Sequence, residues 1–509
     1  MTNRTDPSPA APLWLLIALQ AAVSAASLVV EIVAGRMIAP YVGMSLYTWT
    51  AIIAVVLAGF SIGHVWGGRI AARETAAALR INGWIMLAAA ASAAGAALLL
   101  RLVAGPVLET LSNPLLAITT LTALVFFLPS LFAGVPAPVL AVVAMRGRAD
   151  AERTLGAMFA AGAIGAIAGT LLAGFLFISW LGSIATLAVI AAAYAVSAAL
   201  FFALGGLDRR EALRTAPIWL LVAGLGAGGL LQTKVCDRES QYFCIRTVDL
   251  TTTPGNPVRL MVLDHLAHGV NAAAAPRVMH TDHTAMLDAL PRMRMGETAF
   301  SSFHIGGGSY SVPRAWADRG MTDITVAEID PAVTRHAIED FWFAPEQATV
   351  LHQDARRAMR QTARRYDVIV GDAFTDVAVP AHLVSAEFFR LVADRLTPEG
   401  VFAMNVIDGV DRFEALTALV ATLRGVFPNV EVWTEARPPT PGERRVFVLL
   451  AGAEPSPVSS LIARTPEPKR FAALDPRFID DLMRRTGARA LTDDYAPIDR
   501  LIGLYPATD

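Results

Sequence analysis

Apolar positions run almost unbroken through the first 232 residues, then give way to short apolar runs set between polar, helix-periodic stretches. In the first part the runs reach the roughly 20 residues that a helix needs to cross a hydrocarbon core. They predict seven spans, at about residues 12–34, 45–68, 82–104, 115–144, 154–178, 183–204 and 216–232. Pro129, Pro136 and Pro138 interrupt the fourth, which predicts a kinked span or a span followed by a re-entrant piece, the latter raising the count to eight. From residue 298 the pattern changes. AFSSFHI, ITVAEI, ATVLHQ, YDVIVGD and VFAMNVI read as strands, and SVPRAWADRG, PAVTRHAIEDF, ARRAMRQTARR and SAEFFRLVADRL between them read as helices. That alternation predicts a doubly wound, Rossmann-like α/β sheet. The expected organisation is an α-helical transmembrane bundle over 1–232, a small β region and lid over 233–297, and a Rossmann-like α/β domain over 298–509.

Charge follows the same division. The first 232 residues hold 12 Lys/Arg and 8 Asp/Glu of the chain's 42 and 44, a net +4 against −6 for the remainder. Neither part carries the concentrated basic field that nucleic acid needs, so no nucleic-acid partner is expected. The N-terminus has one arginine and no small-residue cleavage site behind a short apolar core, so the first span reads as a retained anchor. The chain is expected as a multi-pass protein of the cell inner membrane, with the lipid bilayer as a partner.

Loop arginines set the orientation. Arg69, Arg73 and Arg80 follow the second span, Arg146, Arg148 and Arg153 the fourth, and Arg209, Arg210 and Arg214 the sixth; the intervening loops hold only Arg36 and Arg101. With seven spans this puts the N-terminus in the cytoplasm and everything after residue 232 outside it. Cys236 and Cys244, the only cysteines, lie just past the last span and are close enough to pair there, or to remain as two reduced thiols if the side is cytoplasmic. Supply of a nucleoside cofactor argues for the cytoplasmic side. Within the spans, Glu31 and Arg36 read either as a functional pair or as polar glue, and Gly165 and Gly169 have the small-xxx-small spacing of close helix packing.

The chemistry concentrates at the ends of the predicted strands. His304-Ile-Gly-Gly-Gly-Ser309 falls between the first strand and a helix, where Gly306, Gly307 and Gly308 let the backbone approach a ligand. Glu328 ends the second strand about 20 residues on, placed for two ribose hydroxyls, Asp354 follows the third, and Asp372 ends the fourth over the ligand crevice. Each acid alone also suits a helix N-cap; the ordered set points to a nucleoside. His265, His268, His280 and His283 form two pairs at a spacing that suits a metal, a substrate contact or a solvated lid.

Together HIGGGSYSVPR, AEIDPAV, HQDARRAM and YDVIVGDAFTDVAVPAHLVSAEFF resemble the spermidine synthase (polyamine aminopropyltransferase) family, in its bacterial branch with an N-terminal multi-span domain; LTDDYAPID near the C-terminus resembles that branch too. The resemblance implies that Gly306, Gly307, Gly308, Ser309 and Glu328 bind the ribose and tail of the donor, that Asp354 meets the adenine, and that Asp372 is the base on an acceptor amine. It implies decarboxylated S-adenosylmethionine as co-substrate, an acceptor such as putrescine, methylthioadenosine as product and no metal. A homodimer is the assembly common among soluble members. Several positions depart from the family pattern. Ser309 stands where an acid usually pairs with the donor's amine, which admits full S-adenosylmethionine and a methyltransferase as the alternative. His268 replaces an expected Gln, Asp282-His283-Thr284 replaces a Tyr-His-Glu segment over the acceptor, and Asp376 lies one residue later than the second loop acid. His268, His283 and Asp376 remain the expected acceptor contacts. A third reading is a polyamine or nucleoside transporter or sensor with a binding-only soluble domain.

Overall fold

An apolar chain satisfies its own backbone most readily as helix, and each apolar stretch of the first 232 residues takes that form. The computed structural model describes residues 12–296, 298–373 and 379–502. The bundle comprises α1 (Leu13–Val42), α2 (Leu46–Ala71), α3 (Thr75–Thr110), α4 (Pro114–Gly134), α5 (Pro136–Met145), α6 (Ala151–Leu172), α7 (Ile178–Gly205) and α8 (Arg209–Leu231). Among the described residues, six helices are long and apolar enough to cross a membrane, with Pro114–Met145 and Ala151–Gly205 each taken as one. The seven predicted runs and these six helices differ only in the treatment of residues 151–205. A straight helix of 55 residues would be about 80 Å long, far beyond a hydrocarbon core of about 30 Å. Gly182, at φ 76° and ψ 171°, breaks it.

Helix directions show what happens at that break. Gly162, Gly165 and Gly169 of α6 meet Gln20, Ala21 and Ala25 of α1 in turn, so α6 and α1 run the same way. Gly83 of α3 meets Phe202 of α7 while Gly205 meets Arg80, so α7 runs against α3. Short turns joining α1, α2, α3 and α4 make successive helices alternate, which gives α1 and α3 one direction. The chain therefore reverses at Gly182. The fourth stretch stays helical past Pro129 and Pro136: Val135, between α4 and α5, keeps helical angles of φ −67° and ψ −40°.

Val235–Asp509 form a separate unit. It opens with a four-stranded antiparallel sheet, β1 (Arg238–Glu239), β2 (Cys244–Asp249), β3 (Val258–Leu263) and β4 (Leu266–Ala272), in which a disulfide joins Cys236 to Cys244. The helix α9 (Asp282–Met295) leads into the nucleoside-type fold. There follow β5 (Ser302–Ile305), α10 (Ser311–Asp318), β6 (Ile324–Ala327), α11 (Pro331–Asp340), β7 (Thr349–Leu351), α12 (Ala355–Arg360), β8 (Tyr366–Gly371), α13 (Ala386–Asp394) and β9 (Leu396–Gly409). After α14 (Glu414–Arg424) come β10 (Asn429–Glu435), β11 (Arg444–Gly452), β12 (Ser460–Ala463), β13 (Lys469–Ala473), α15 (Pro476–Thr486) and α16 (Ile498–Leu501).

The large sheet has the order β12-β13-β10-β11-β9-β8-β5-β6-β7, parallel from β9 to β7 and antiparallel beyond β9. β5 and β6 are buried at every position, as central parallel strands covered on both faces must be. The strand order reverses between β5 and β8. That is the topological switch point, where open α/β sheets bind ligands beyond the strands' carboxyl ends.

Candidate active site

The site is assembled where β5 and β8 end. Gly306 has φ 89°, and a Cβ there would lie 2.8 Å from the carbonyl oxygen of Asp372, so the two loops approach as closely as they do only because position 306 has no side chain. The Gly307 N–H donates to Glu328 Oε2 at 2.8 Å and the Asp330 N–H to Oε1 at 2.9 Å. Burial pushes the Glu328 carboxyl upward, while the N–H groups of Asp330, Gly307 and Gly308 oppose that shift. The glycine loop and the acid ending β6 are thus one hydrogen-bonded unit.

Asp372 accepts a bond from Asn405 Nδ2 on β9 at 3.2 Å. Pairing of His304 with Val370 puts the side chains of His304, Val370 and Asp372 on one face of the β5–β8 pair, and all three line a pocket with Gly306, His268 and Thr284. On the opposite face of β5, Ile305, Ala373, Val379, Pro380 and Leu383 line a small apolar recess backed by Phe388 and Phe402 of the core. Asp354 does two things: its Oδ1 caps the Arg357 N–H at 2.8 Å, and its Oδ2 lies 2.8 Å from His382 Nε2.

Ser309 is buried and turned to the β4 wall. Its Oγ is 2.7 Å from Ser311 Oγ, which donates to Asn271 Oδ1, and Asn271 Nδ2 donates back to the Ser309 carbonyl at 2.8 Å. A Cβ on Gly269 would fall 2.1 Å from Ser309 Oγ. This hydroxyl is therefore committed to a packed hydrogen-bond chain. His268 and His283 come together, with His283 Nε2 3.3 Å from the His268 carbonyl oxygen. Burial, with His283 and His265 nearby, pulls the His268 imidazole down to about 3, so it is neutral. Asp282 is paired with Lys469 at 2.7 Å and contributes no free charge to an acceptor. Asp376 lies outside the described residues. Among the described residues, no group of three or more His, Cys, Asp or Glu is arranged to hold a metal ion.

Three features escaped sequence reasoning. Asn405 sits in an apolar strand with no local signal. His304 was read only as the residue opening a glycine turn. The C-terminal DDYAPID segment is a clamp: Asp493 takes both guanidinium arms of Arg356, at 2.7 and 2.6 Å, and the Ser385 hydroxyl at 2.5 Å, while Asp499 accepts the Val379 N–H at 3.0 Å. These contacts tie the far end of the segment after Asp372 to the body of the fold.

Comparison with known proteins adds identity to this geometry. Residues 304–456 match the spermine/spermidine synthase domain. The N-terminal histidine N-methyltransferase of Emericella nidulans is 32% identical over 174 residues, 33% of this chain and 29% of that protein. The polyamine aminopropyltransferase of Vibrio vulnificus is 28% identical over 212 residues, 39% of this chain and 68% of that protein. Polyamine aminopropyltransferase 2 of Streptomyces coelicolor is 27% identical over 332 residues, covering 61% of this chain and 59% of that protein. The chain thus spans between 29% and 68% of the length of these relatives. The second half of the chain carries a spermidine synthase domain, joined to an N-terminal region of long apolar helices.

Proposed function

We propose that the chain is a membrane-integrated aminopropyltransferase that moves an aminopropyl group from decarboxylated S-adenosylmethionine to an amine such as putrescine and releases methylthioadenosine. The observation carrying this reading is the ordered set Gly306–Gly308, Glu328, Asp354 and Asp372 at successive strand ends around the switch point of a spermidine synthase domain. Gly307 and Glu328 suit the ribose, and Asp354, after β7, suits the adenine amine. The donor supplies an electrophilic carbon beside a sulfonium. The protein's part is to hold the acceptor in line and take its proton, which the Asp372 carboxylate, fixed by Asn405, is placed to do. The test is release of methylthioadenosine by the detergent-purified protein and by Asp372→Asn. Turnover lost with nucleoside binding retained supports the reading; unchanged turnover in the variant contradicts it.

Methyl transfer from S-adenosylmethionine is the second reading, and one residue favours it. Ser309 is neutral and already bonded to Ser311, so it offers no carboxylate to the donor's amine and no repulsion to a donor carboxylate. The similarity to a histidine N-methyltransferase points the same way.

For the membrane part we propose seven crossings of the inner membrane, with Gly182 at a turn, the arginine-rich loops in the cytoplasm and the catalytic unit outside it. The disulfide between Cys236 and Cys244 supports that side. A reporter fluorescent only in the cytoplasm, fused after Asp509, is expected to stay dark; fluorescence overturns the orientation.

A further inference from the structure

His304 stands where a buried strand would ordinarily carry an aliphatic residue. Its neighbours on β5, Phe303 and Ile305, are fully buried apolar groups, and His304 itself is only 2% exposed. Its ring lies 5.0 Å from that of Trp316, and its Nε2 is buried with no hydrogen-bond partner. Burial pulls the imidazole down to about 3, so it is neutral at physiological pH. A buried, unpaired imidazole nitrogen is unfavourable unless something meets it, and the His304 side chain lines the same pocket as Asp372, on the same face of the β5–β8 pair.

Resting on the transferase reading above, we infer that His304 is a second contact to the acceptor nitrogen, accepting one of its hydrogens while Asp372 accepts the other. A neutral primary amine has two N–H bonds and one lone pair. Asn405 engages one oxygen of Asp372 and leaves the other for one amine hydrogen, and an acceptor at a second position, His304, fixes the other hydrogen. Holding both leaves the lone pair a single direction, toward the sulfonium carbon. That lone pair forms the new N–C bond, the C–S pair returns to sulfur to give a neutral thioether nucleoside, and the surplus proton of the resulting ammonium passes to Asp372. A cationic group at position 304 would repel both the sulfonium and the ammonium; a neutral imidazole does not.

The test compares wild type, His304→Leu and His304→Gln as full-length protein in detergent, with decarboxylated S-adenosylmethionine and putrescine. His304→Leu is expected to lower kcat by about 10²-fold, as loss of one aligned hydrogen-bond partner does, with the donor KM little changed. His304→Gln, which restores a neutral acceptor, recovers part of that loss. Thermal stabilisation of each variant by methylthioadenosine shows that the site is folded. Full kcat in a folded His304→Leu protein overturns the inference and leaves His304 a packing partner of Trp316. Nitrogen-15 NMR of labelled histidine is the second readout. Putrescine added to methylthioadenosine-saturated protein shifts a ring resonance that is missing from His304→Gln, and the absence of any shift overturns the contact. Should wild type release no nucleoside while that resonance shifts, the transfer reaction fails and the contact stands.

Discussion

The two parts of the chain use glycine for opposite reasons. In the bundle, Gly165 and Gly169 have ordinary helical geometry and exist to let α6 lie on α1; a Cβ at either would fall 2.1 or 2.2 Å from a carbonyl oxygen of Ala21 or Ala25. Gly59, Gly63 and Gly67 form a matching stripe on α2 against Ser130, Gly134 and Val135. In the nucleoside fold, Gly306 and Gly308 have φ 89° and 50°, and Gly306 also brings the β5 loop against Asp372. Helix packing is spread over many such positions, whereas the site depends on a single turn. Damage to the first should lower stability and spare chemistry; damage to the second should do the reverse.

The largest expected effect is Asp372→Asn, which removes the proton acceptor and should lower kcat by about 10³-fold, with methylthioadenosine affinity measured by calorimetry kept near wild type. Gly306→Ala comes next. Both the strained φ and the 2.8 Å contact push the loop off Asp372, and a displacement on the order of 1 Å is expected to cost about 10²-fold in kcat/KM. Gly165→Val sharpens the contrast from the other side. It should destabilise the bundle by about 1–3 kcal/mol in detergent unfolding while nucleoside release per folded molecule stays unchanged.

The smallest effect is electrostatic. His304 and His268 are held near 3, below the ordinary imidazole value of 6.5. The unfolded chain then binds more protons as pH falls through 6.5, so the stability these neutral rings permit is full above 6.5 and declines below it. For His304, lowering pH from 7 to 5.5 should cost about 1 kcal/mol. His304→Gln should flatten that part of the stability profile, as followed by thermal unfolding.

What was legible in sequence follows from the range of the interactions involved. The central parallel strands β5, β6 and β8 are buried almost throughout and read as apolar runs, and an acid or a glycine follows each of β5 to β8 within a few residues, so the strand-end positions of Glu328, Asp354 and Asp372 were legible from local pattern, whereas the strand order that makes the switch point was not. The reversal at Gly182 was visible as the gap between two runs. Partnerships across the fold were not. Asn405 reaches Asp372 over 33 positions, Asn271 reaches Ser309 over 38, and Asp493 reaches Arg356 over 137. Ser309 was expected at the donor, yet its hydroxyl is spent on Ser311, a commitment visible only once β4 is seen packing behind it. His304 was hidden in a different way: inside an apolar strand, one histidine carries no periodic signal.

The most direct measurement is mass spectrometry of the nucleoside released when the purified protein meets both donors and putrescine in one tube. Aminopropyl transfer predicts methylthioadenosine with an equal amount of spermidine. Accumulation of S-adenosylhomocysteine with no methylthioadenosine would contradict it and reassign the site, with Ser309 at its wall, to methyl transfer.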